Sequence, residues 1–356
     1  MKNMEQLVND MRNDAELRQK IRYGLNKLRS DENLEVYEAG LRVARDLGYE
    51  ISGKNEYSVK IDEQSKKQLT PKISDFLDIF KAQSYPNLFS KECIKALTNI
   101  RNEYGNRASH YAIYEVSLND TKLTTDFSCK LYDRLFQECW FEFDFNLYGN
   151  GDVSHCTFLE ALIPSEKEIM LRNLIGDEKF EILSQPLNNL YTLLKSKGLS
   201  IVYIGTLDNR GYSQSVRIET RVRSGDKLLK LIRELSYDGD ISLIENTISK
   251  IRPYIRDEVF LFSFDLFADR ISDKIGISIL PFSSIKGTEK LITFLLENNL
   301  CLLGKGQDLI KWKRDELPNG LLVQDINFIK FQFMNKNISA VKAYLIQSDH
   351  FPFYLS

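Results

Sequence analysis

From His110 to the C-terminus the chain reads as five consecutive pairs of strand-like segments in which apolar residues alternate with polar or charged ones. The predicted hairpins are 110–117/122–132, 138–146/153–162, 200–206/213–223, 258–267/274–281 and 325–334/338–347. Amphipathic helical stretches over 166–198, 226–252 and 286–315 separate the later pairs, and their apolar stripes must be buried on something. One arrangement meets both demands: a sheet curled into a ring, with helices over its apolar outer face and the polar rows turned inward on a wet lumen. The expected fold is α+β, a ten-stranded antiparallel β-barrel of five hairpins surrounded by helices, over residues 109–356. A helical connector over 53–108 and a small N-terminal helical domain over 1–52 precede it.

Because side chains alternate across a strand, each hairpin sorts into two faces. Val216, Ile218, Thr220 and Val222 take one side, and Arg217, Glu219, Arg221 and Arg223 the other. Phe260, Phe262 and Phe264 oppose Ser263 and Asp265, while Phe141, Phe143 and Phe145 oppose Trp140, Glu142 and Asp144. In the last pair Val341, Ala343 and Leu345 stand against Lys342 and Tyr344, with Lys330 and Gln332 polar on the partner strand. The first pair offers Asp126, Ser128 and Lys130. An inward polar face therefore collects Lys130, Trp140, Glu142, Asp144, Tyr203, Arg217, Arg221, Asp265, Lys330, Lys342 and Tyr344.

Several unpaired cations cannot be taken out of water cheaply, so such a chamber calls for water, paired carboxylates or an anionic ligand. Lysine and arginine beside tyrosine and tryptophan suit a diphosphate joined to an apolar, cation-forming tail. The cations hold the phosphates, the aromatic faces shield a developing carbocation, and a carboxylate takes a proton. Trp140-Phe-Glu-Phe-Asp sets two carboxylates and an indole on one face, which makes Glu142 and Asp144 the candidate proton acceptors. The plain alternative is a one-sided sheet whose charged face meets solvent, with Arg217, Glu219 and Arg221 in cross-strand ion pairs. Alternation alone leaves both open.

Composition removes several classes. Lysine and arginine total 48 against 50 acidic residues, so no charge excess favours nucleic acid or an anionic membrane. Five cysteines, odd in number and without CxxC spacing, argue against a disulfide framework and for a reducing, cytoplasmic location. No signal pattern or membrane-spanning run is legible, since Leu291 to Leu303 is interrupted by Glu297, Asn298 and Asn299. No phosphate-binding GxxxxGK[ST], no strand-bound GxGxxG and no GxSxG elbow occurs. His155 and Cys156 are neighbours on a strand and point to opposite faces, which speaks against a zinc site with Cys139.

At the N-terminus, Met4, Leu7, Val8 and Met11, then Leu17, Ile21, Leu25 and Leu28, then Leu34, Tyr37, Leu41, Ala44 and Leu47 recur at helical spacing. Asn13 and Asp14 provide a cap, and Gly48 a stop. A helical cap docked on the barrel is one reading of these three short helices. The runs 4–21 and Ala-Arg-Asp-Leu-Gly-Tyr-Glu-Ile-Ser (44–52) also resemble the nitrile-hydratase-like and nitrogen-fixation-associated leader peptides, with Asp14, Leu17, Ala44, Gly48 and Tyr49 carrying the resemblance. Since roughly three hundred residues follow, that resemblance implies a leader-like domain fused to a larger protein. In the connector, Ile73, Phe76, Leu77 and Phe80 form one amphipathic helix and Cys93, Leu97, Ile100 and Tyr104 a second, punctuated by Pro71 and Pro86.

Over 110–356 the hairpin-and-helix series resembles the ABBA prenyltransferase barrel, in particular its cyanobactin-type, peptide-modifying branch. The segments that carry this are Ser215-Val-Arg-Ile-Glu-Thr-Arg-Val, Leu261-Phe-Ser-Phe-Asp-Leu, Ile329-Lys-Phe-Gln-Phe and Lys342-Ala-Tyr-Leu. The resemblance implies that Arg217, Arg221, Lys330, Lys342 and Tyr344 bind an isoprenoid diphosphate. The short link between the first two hairpins departs from a strict repeat. The expected function is a tailoring enzyme of ribosomally made peptides that prenylates a peptide side chain, with a leader-bearing precursor as partner. Magnesium is compatible with a diphosphate donor, but no dedicated site is legible. The alternative is a non-catalytic barrel that captures a peptide or leader and presents it to a partner enzyme.

Overall fold

The computed structural model describes residues 36–49, 72–80, 84–133, 137–145, 153–160, 168–206, 214–315 and 322–349, apart from single positions within them, together with isolated positions from Gln6 to Gly24. The ten strands are β1 (Tyr111–Ser117), β2 (Thr125–Asp133), β3 (Gln137–Phe145), β4 (Val153–Glu160), β5 (Ile201–Gly205), β6 (Val216–Arg223), β7 (Ile255–Leu266), β8 (Ile271–Pro281), β9 (Leu322–Met334) and β10 (Asn337–Asp349). Each is antiparallel to its chain neighbours, and β1 pairs with β10 over Tyr111↔Ser348 to Ser117↔Lys342, which closes the ring. The barrel is therefore the one expected from alternation. Closure leaves no unpaired edge to template aggregation.

The limits differ in detail. β2 begins at Thr125 instead of 122 because the Asp120 carboxylate accepts the Lys122 N–H at 2.9 Å and holds an Asx-type turn. β7, β8, β9 and β10 each run two or three residues longer than expected, since their ends find ladder partners on the neighbouring strand, Ile255 on Pro281, Leu266 on Ile271 and Leu322 on Asp349.

Each long helical stretch is two helices. Residues 166–198 hold α4 (Glu168–Ile175) and α5 (Asp177–Ser196), broken at Gly176, whose φ is +82°. Residues 226–252 hold α6 (Gly225–Glu234) and α7 (Ile241–Ile251), with Ser236 at φ +54° between them. Residues 286–315 hold α8 (Ile285–Glu297) and α9 (Leu303–Arg314), with Asn299 at φ +56°. A left-handed residue ends an α-helical ladder, and periodicity carries straight through it. Earlier in the chain lie α1 (Val36–Asp46), α2 (Ile73–Leu77) and α3 (Lys91–Tyr104). The Ser90, Asp240 and Ser284 side chains cap α3, α7 and α8 by accepting a backbone N–H from Cys93, Leu243 and Gly287.

The core is the layer between barrel and helices. Every outward residue of the middle strands is buried, including Ile218, Phe260, Phe262, Phe264, Ile277, Ile279, Ile329, Phe331, Val341 and Ala343. Leu183, Leu187, Leu190 and Leu194 of α5, Leu228, Leu231 and Ile232 of α6 and Leu291, Ile292 and Leu295 of α8 belong to the same cluster. So do Ile73, Phe76, Leu97 and Ile100 of α2 and α3. Each such side chain contributes roughly 1.5–3 kcal/mol, which is what keeps the ring's apolar face outward.

In the N-terminal unit the Asp14 carboxylate accepts the Glu16 and Leu17 N–H groups at 2.9 and 3.0 Å, so the expected cap is present. Gly48, at φ +86°, ends α1, and the Tyr49 hydroxyl donates to Asp10 at 2.7 Å. Among the described residues no helix is long and apolar enough to cross a membrane. Cys93, Cys129 and Cys301 are buried, while the Cys139, His155 and Cys156 side chains lie outside the described residues.

One buried polar contact locks the first hairpin to the helical layer. The Lys305 ammonium of α9 donates to the Ser117 carbonyl at 2.6 Å and to the Lys122 carbonyl at 2.7 Å, with Asp120 at 3.6 Å. Lys305→Met strands both carbonyls, and its expected cost is about 2 kcal/mol, read as a lowered urea midpoint at unchanged slope.

Candidate functional site

Strand register decides which side chains share the lumen. Opposite partners point to the same face, so the pairs Arg217↔Asp265, Glu219↔Ser263, Ser263↔Gly276, Gly276↔Gln332, Ser278↔Lys330, Lys330↔Lys342 and Glu115↔Tyr344 trace one inner wall across β6, β7, β8, β9, β10 and β1. The ring continues through Ser128↔Glu142, Lys130↔Trp140, Trp140↔Phe158, Phe158↔Gly205 and Tyr203↔Glu219. The phenylalanines of β7 face the helices, and the ionisable rows face the axis. The one-sided, solvent-facing sheet is thereby replaced by a closed chamber.

The two halves of the wall differ. Along β7–β9 most inner residues are small or tightly packed: Leu261, Ser263, Asp265, Gly276, Ser278, Lys330 and Gln332 are buried, while Lys274 and Phe328 are half-buried. Around β1–β5 the inner residues Tyr111, Ile113, Ser128, Lys130, Trp140, Glu142, Phe158 and Tyr203 are half-buried. That is the signature of side chains lining a wet space beneath a dry outer layer. Aromatic rings dominate this second half. Tyr111 and Trp140 lie with centroids 5.9 Å apart; beside this half, Phe328 of β9 meets Tyr344 of β10 edge-on at 6.3 Å. Gly205, opposite Phe158, leaves the space that the Phe158 ring fills. The Trp140 indole N–H is buried with no hydrogen-bond partner among the described residues.

Two ion pairs hold the charged half. Arg217 grips Asp265 through two hydrogen bonds, Nε to Oδ1 at 2.5 Å and a terminal nitrogen to Oδ2 at 3.1 Å. Lys342 pairs with Glu115. Burial alone would raise the Glu115 carboxyl, but the Lys342 and Lys330 ammonium groups, with hydrogen bonds from Lys342 and Tyr344, hold it well below the usual carboxylate range. Burial and the Glu115 and Glu142 charges push Tyr344 well above its ordinary value, so its hydroxyl stays a donor.

Two further cations have no carboxylate in ion-pair contact among the described residues. Lys330 is buried, its Nζ 3.5 Å from the Tyr344 hydroxyl and 5.8 Å from that ring's centroid. Burial and repulsion from Arg217 and Lys342 pull it down to about 8, against the attraction of Glu115 and Glu219. Lys274, on the same inner row of β8, is lowered by burial, Lys342 and Arg217. Glu219 is raised by burial despite Lys330, Arg217 and Arg221 nearby, with Glu142 adding repulsion. The chamber thus combines two ammonium groups without an ion-paired carboxylate among the described residues with a carboxylate that accepts a proton more readily than usual.

Of the residues singled out in the sequence, Lys130, Trp140, Glu142, Tyr203, Arg217, Asp265, Lys330, Lys342 and Tyr344 all stand on inner strand faces. Arg221 is on the same face as Arg217 but near the strand end, and it is exposed. Asp144 occupies its β3 position opposite Ser154, and its side chain lies outside the described residues. Sequence reasoning missed Glu115 and Lys274 and gave Glu219 no role. Glu115 shares a period-two row with Tyr111, Ile113 and Ser117, which was legible but flanked by the apolar Tyr114 and Val116. Among the described residues no group of three or more His, Cys, Asp or Glu side chains is placed to hold a metal ion.

No protein-family model matches the chain, and no curated protein matches it significantly. Among solved structures, the crystal structure of AnaPT from Neosartorya fischeri is similar to it with a TM-score of 0.45 at 11% identity, over 87% of this chain and 96% of that one. The crystal structure of the NotF prenyltransferase is similar with a TM-score of 0.48 at 8% identity, over 78% of this chain and 93% of that one.

Proposed function

We propose that the barrel transfers a prenyl group from an isoprenoid diphosphate to an acceptor held in the chamber. The observation that carries this reading is the inner cation row of Arg217, Lys274, Lys330 and Lys342, in which two ammonium groups lack a carboxylate contact among the described residues while aromatic side chains line the opposite wall. Buried unpaired cations are costly, and a diphosphate supplies the missing counter-charge and accepts charge-assisted hydrogen bonds from them. In the transfer the C–O bond of the prenyl diphosphate breaks and its electron pair leaves with the diphosphate, where Lys330 and its neighbours stabilise the added charge. Tyr344, Trp140 and Tyr203 screen the allylic cation, and the acceptor atom forms the new bond. The acceptor's proton passes to a chamber carboxylate, Glu142 or Asp144 on β3, with Glu219 across the lumen as a further acceptor of raised affinity.

For the acceptor we propose a side chain of a ribosomally made peptide. Support comes from the leader-like N-terminal helices, where Asp14 caps one helix and Gly48 and Tyr49 close another. Incubating the full chain with isoprenoid diphosphates and candidate peptides, read by mass, tests the reading directly. Growth of a peptide by one or more isoprene units supports it. Tight peptide binding with no such product under any donor supports the capture-and-present alternative instead. Arg221, exposed at the strand end, is a peripheral contributor, so Arg221→Ala is expected to lower turnover by less than about fivefold.

A further inference from the structure

A glycine inside a strand costs backbone entropy and packs nothing, so its presence in the middle of β8 has a cause to be found. Gly276 does not take a positive φ, and its neighbours on the outer face, Ile275 and Ile277, are ordinary strand residues in the core. What distinguishes it is the inner face. Ser263 stands opposite it on β7 and Gln332 opposite it on β9, two residues from Lys330. A methyl group on Gly276 would overlap Lys330 Cε, stand 2.5 Å from Ser263 Oγ and lie 3.3 Å from Lys330 Nζ. The lysine stem therefore occupies the volume that any other residue at 276 would fill, and from there its ammonium reaches the Tyr344 hydroxyl at 3.5 Å.

We propose that Gly276 is a positioning residue: by leaving out a side chain it seats the Lys330 stem across β8 and fixes where that ammonium is presented in the chamber. Ser263 and Ser278, small and buried on the same wall, keep the trough open on either side. The seating follows from packing alone. Its consequence for catalysis rests on the diphosphate reading, because a displaced ammonium matters only where an anion is to be met.

The groups that face the Lys330 ammonium are Arg217 and Glu219 of β6, Lys342 and Tyr344 of β10 and Glu115 of β1. A seated Lys330 is held among these at about 8, below an ordinary lysine. A lysine pushed out of the trough loses both the burial and the repulsion and titrates higher. Acetic anhydride labelling of Lys330 as a function of pH, read by peptide mass, measures this with no substrate present. For the natural chain the labelling midpoint is expected near 8. For Gly276→Ala it is expected to rise by about one unit or more, whereas Ser278→Ala, which removes volume from the same wall, should leave it in place. Inorganic pyrophosphate should bind Gly276→Ala at least about tenfold more weakly than the natural chain.

Should Gly276→Ala prove too unstable to label, its cost in stability is compared between a Ser263→Ala background and a Ser263→Ala/Lys330→Ala background, since in the second the added methyl meets neither Ser263 Oγ nor the lysine stem. A cost that vanishes when Lys330 is removed supports the seating, and a cost equal in the two backgrounds overturns it. A labelling profile for Gly276→Ala that superimposes on that of the natural chain also overturns the seating, whether or not pyrophosphate binds. Failure of the natural chain to bind pyrophosphate overturns the diphosphate reading and leaves the seating to be judged on the labelling midpoint.

Discussion

Lys330→Met is expected to make the folded protein more stable at neutral pH and, at the same time, to lower kcat/KM for an isoprenoid diphosphate by roughly 10²–10³-fold. The two effects share one cause. The lysine is buried, flanked by Arg217 and Lys342, and without a carboxylate contact among the described residues, so the resting protein bears the cost of a charge whose counter-ion arrives with the ligand. A folded-state value of about 8, below the ordinary 10.5, means that between those two pH values the unfolded chain binds a proton that the folded chain has released. Stability of the natural chain should therefore rise with pH across that window and carry the full penalty below about 8. The penalty corresponds to on the order of 3 kcal/mol. Methionine matches the stem and carries no charge, so the gain should be largest at neutral pH and shrink towards zero as pH approaches 10.5. Urea titrations at several pH values measure it. A Met variant less stable than the natural chain at pH 7, or a difference that does not change with pH, would show that Lys330 already has its counter-charge.

Arg217→Met should do the opposite to stability. It leaves the buried Asp265 carboxylate without the guanidinium that grips it through two hydrogen bonds, and a stranded buried charge costs roughly 3–5 kcal/mol. Arg217→Met combined with Asp265→Leu removes both charges, and most of the loss should return, with a coupling of similar size in the double-mutant cycle. Unfolding midpoints for the four proteins measure this. Additive losses with no recovery would mean that the two side chains are held independently. The pair also governs how activity data are read: an inactive Arg217 variant reports unfolding as well as lost anion binding, whereas an inactive Lys330 variant that is more stable reports function alone.

Much of this architecture was legible residue by residue. Val216 to Arg223 alternates so regularly that its two faces follow from the pleat, and the same holds for Phe260 to Asp265. Ten of the eleven chamber candidates stand on inner faces, Arg221 at an exposed strand end, and the Asp144 side chain lies outside the described residues. The misses have physical causes. Alternation assigns a face but not a depth, so Arg217 and Arg221 looked equivalent, although one is clamped to a buried carboxylate and the other lies in solvent. Helical periodicity does not register a single left-handed residue, so Gly176, Ser236 and Asn299 each split one expected helix into two. Glu115 escaped notice because its importance comes from Lys342, 227 positions away.

Side-chain alternation is a local property with a period of two residues, and the covering helices demand an apolar surface nearby. Together these pointed to a closed ring with its ionisable rows inside, with a one-sided, solvent-facing sheet as the open alternative until β1 was seen to pair with β10. Partnership and depth are not local. Which cation meets a carboxylate, which is left for a ligand, and why a glycine stands at 276 all depend on the register of strands brought together only by ring closure. Contact energies vanish within a few ångströms and Coulomb energies scale inversely with separation, so both depend on distances that only the folded barrel sets.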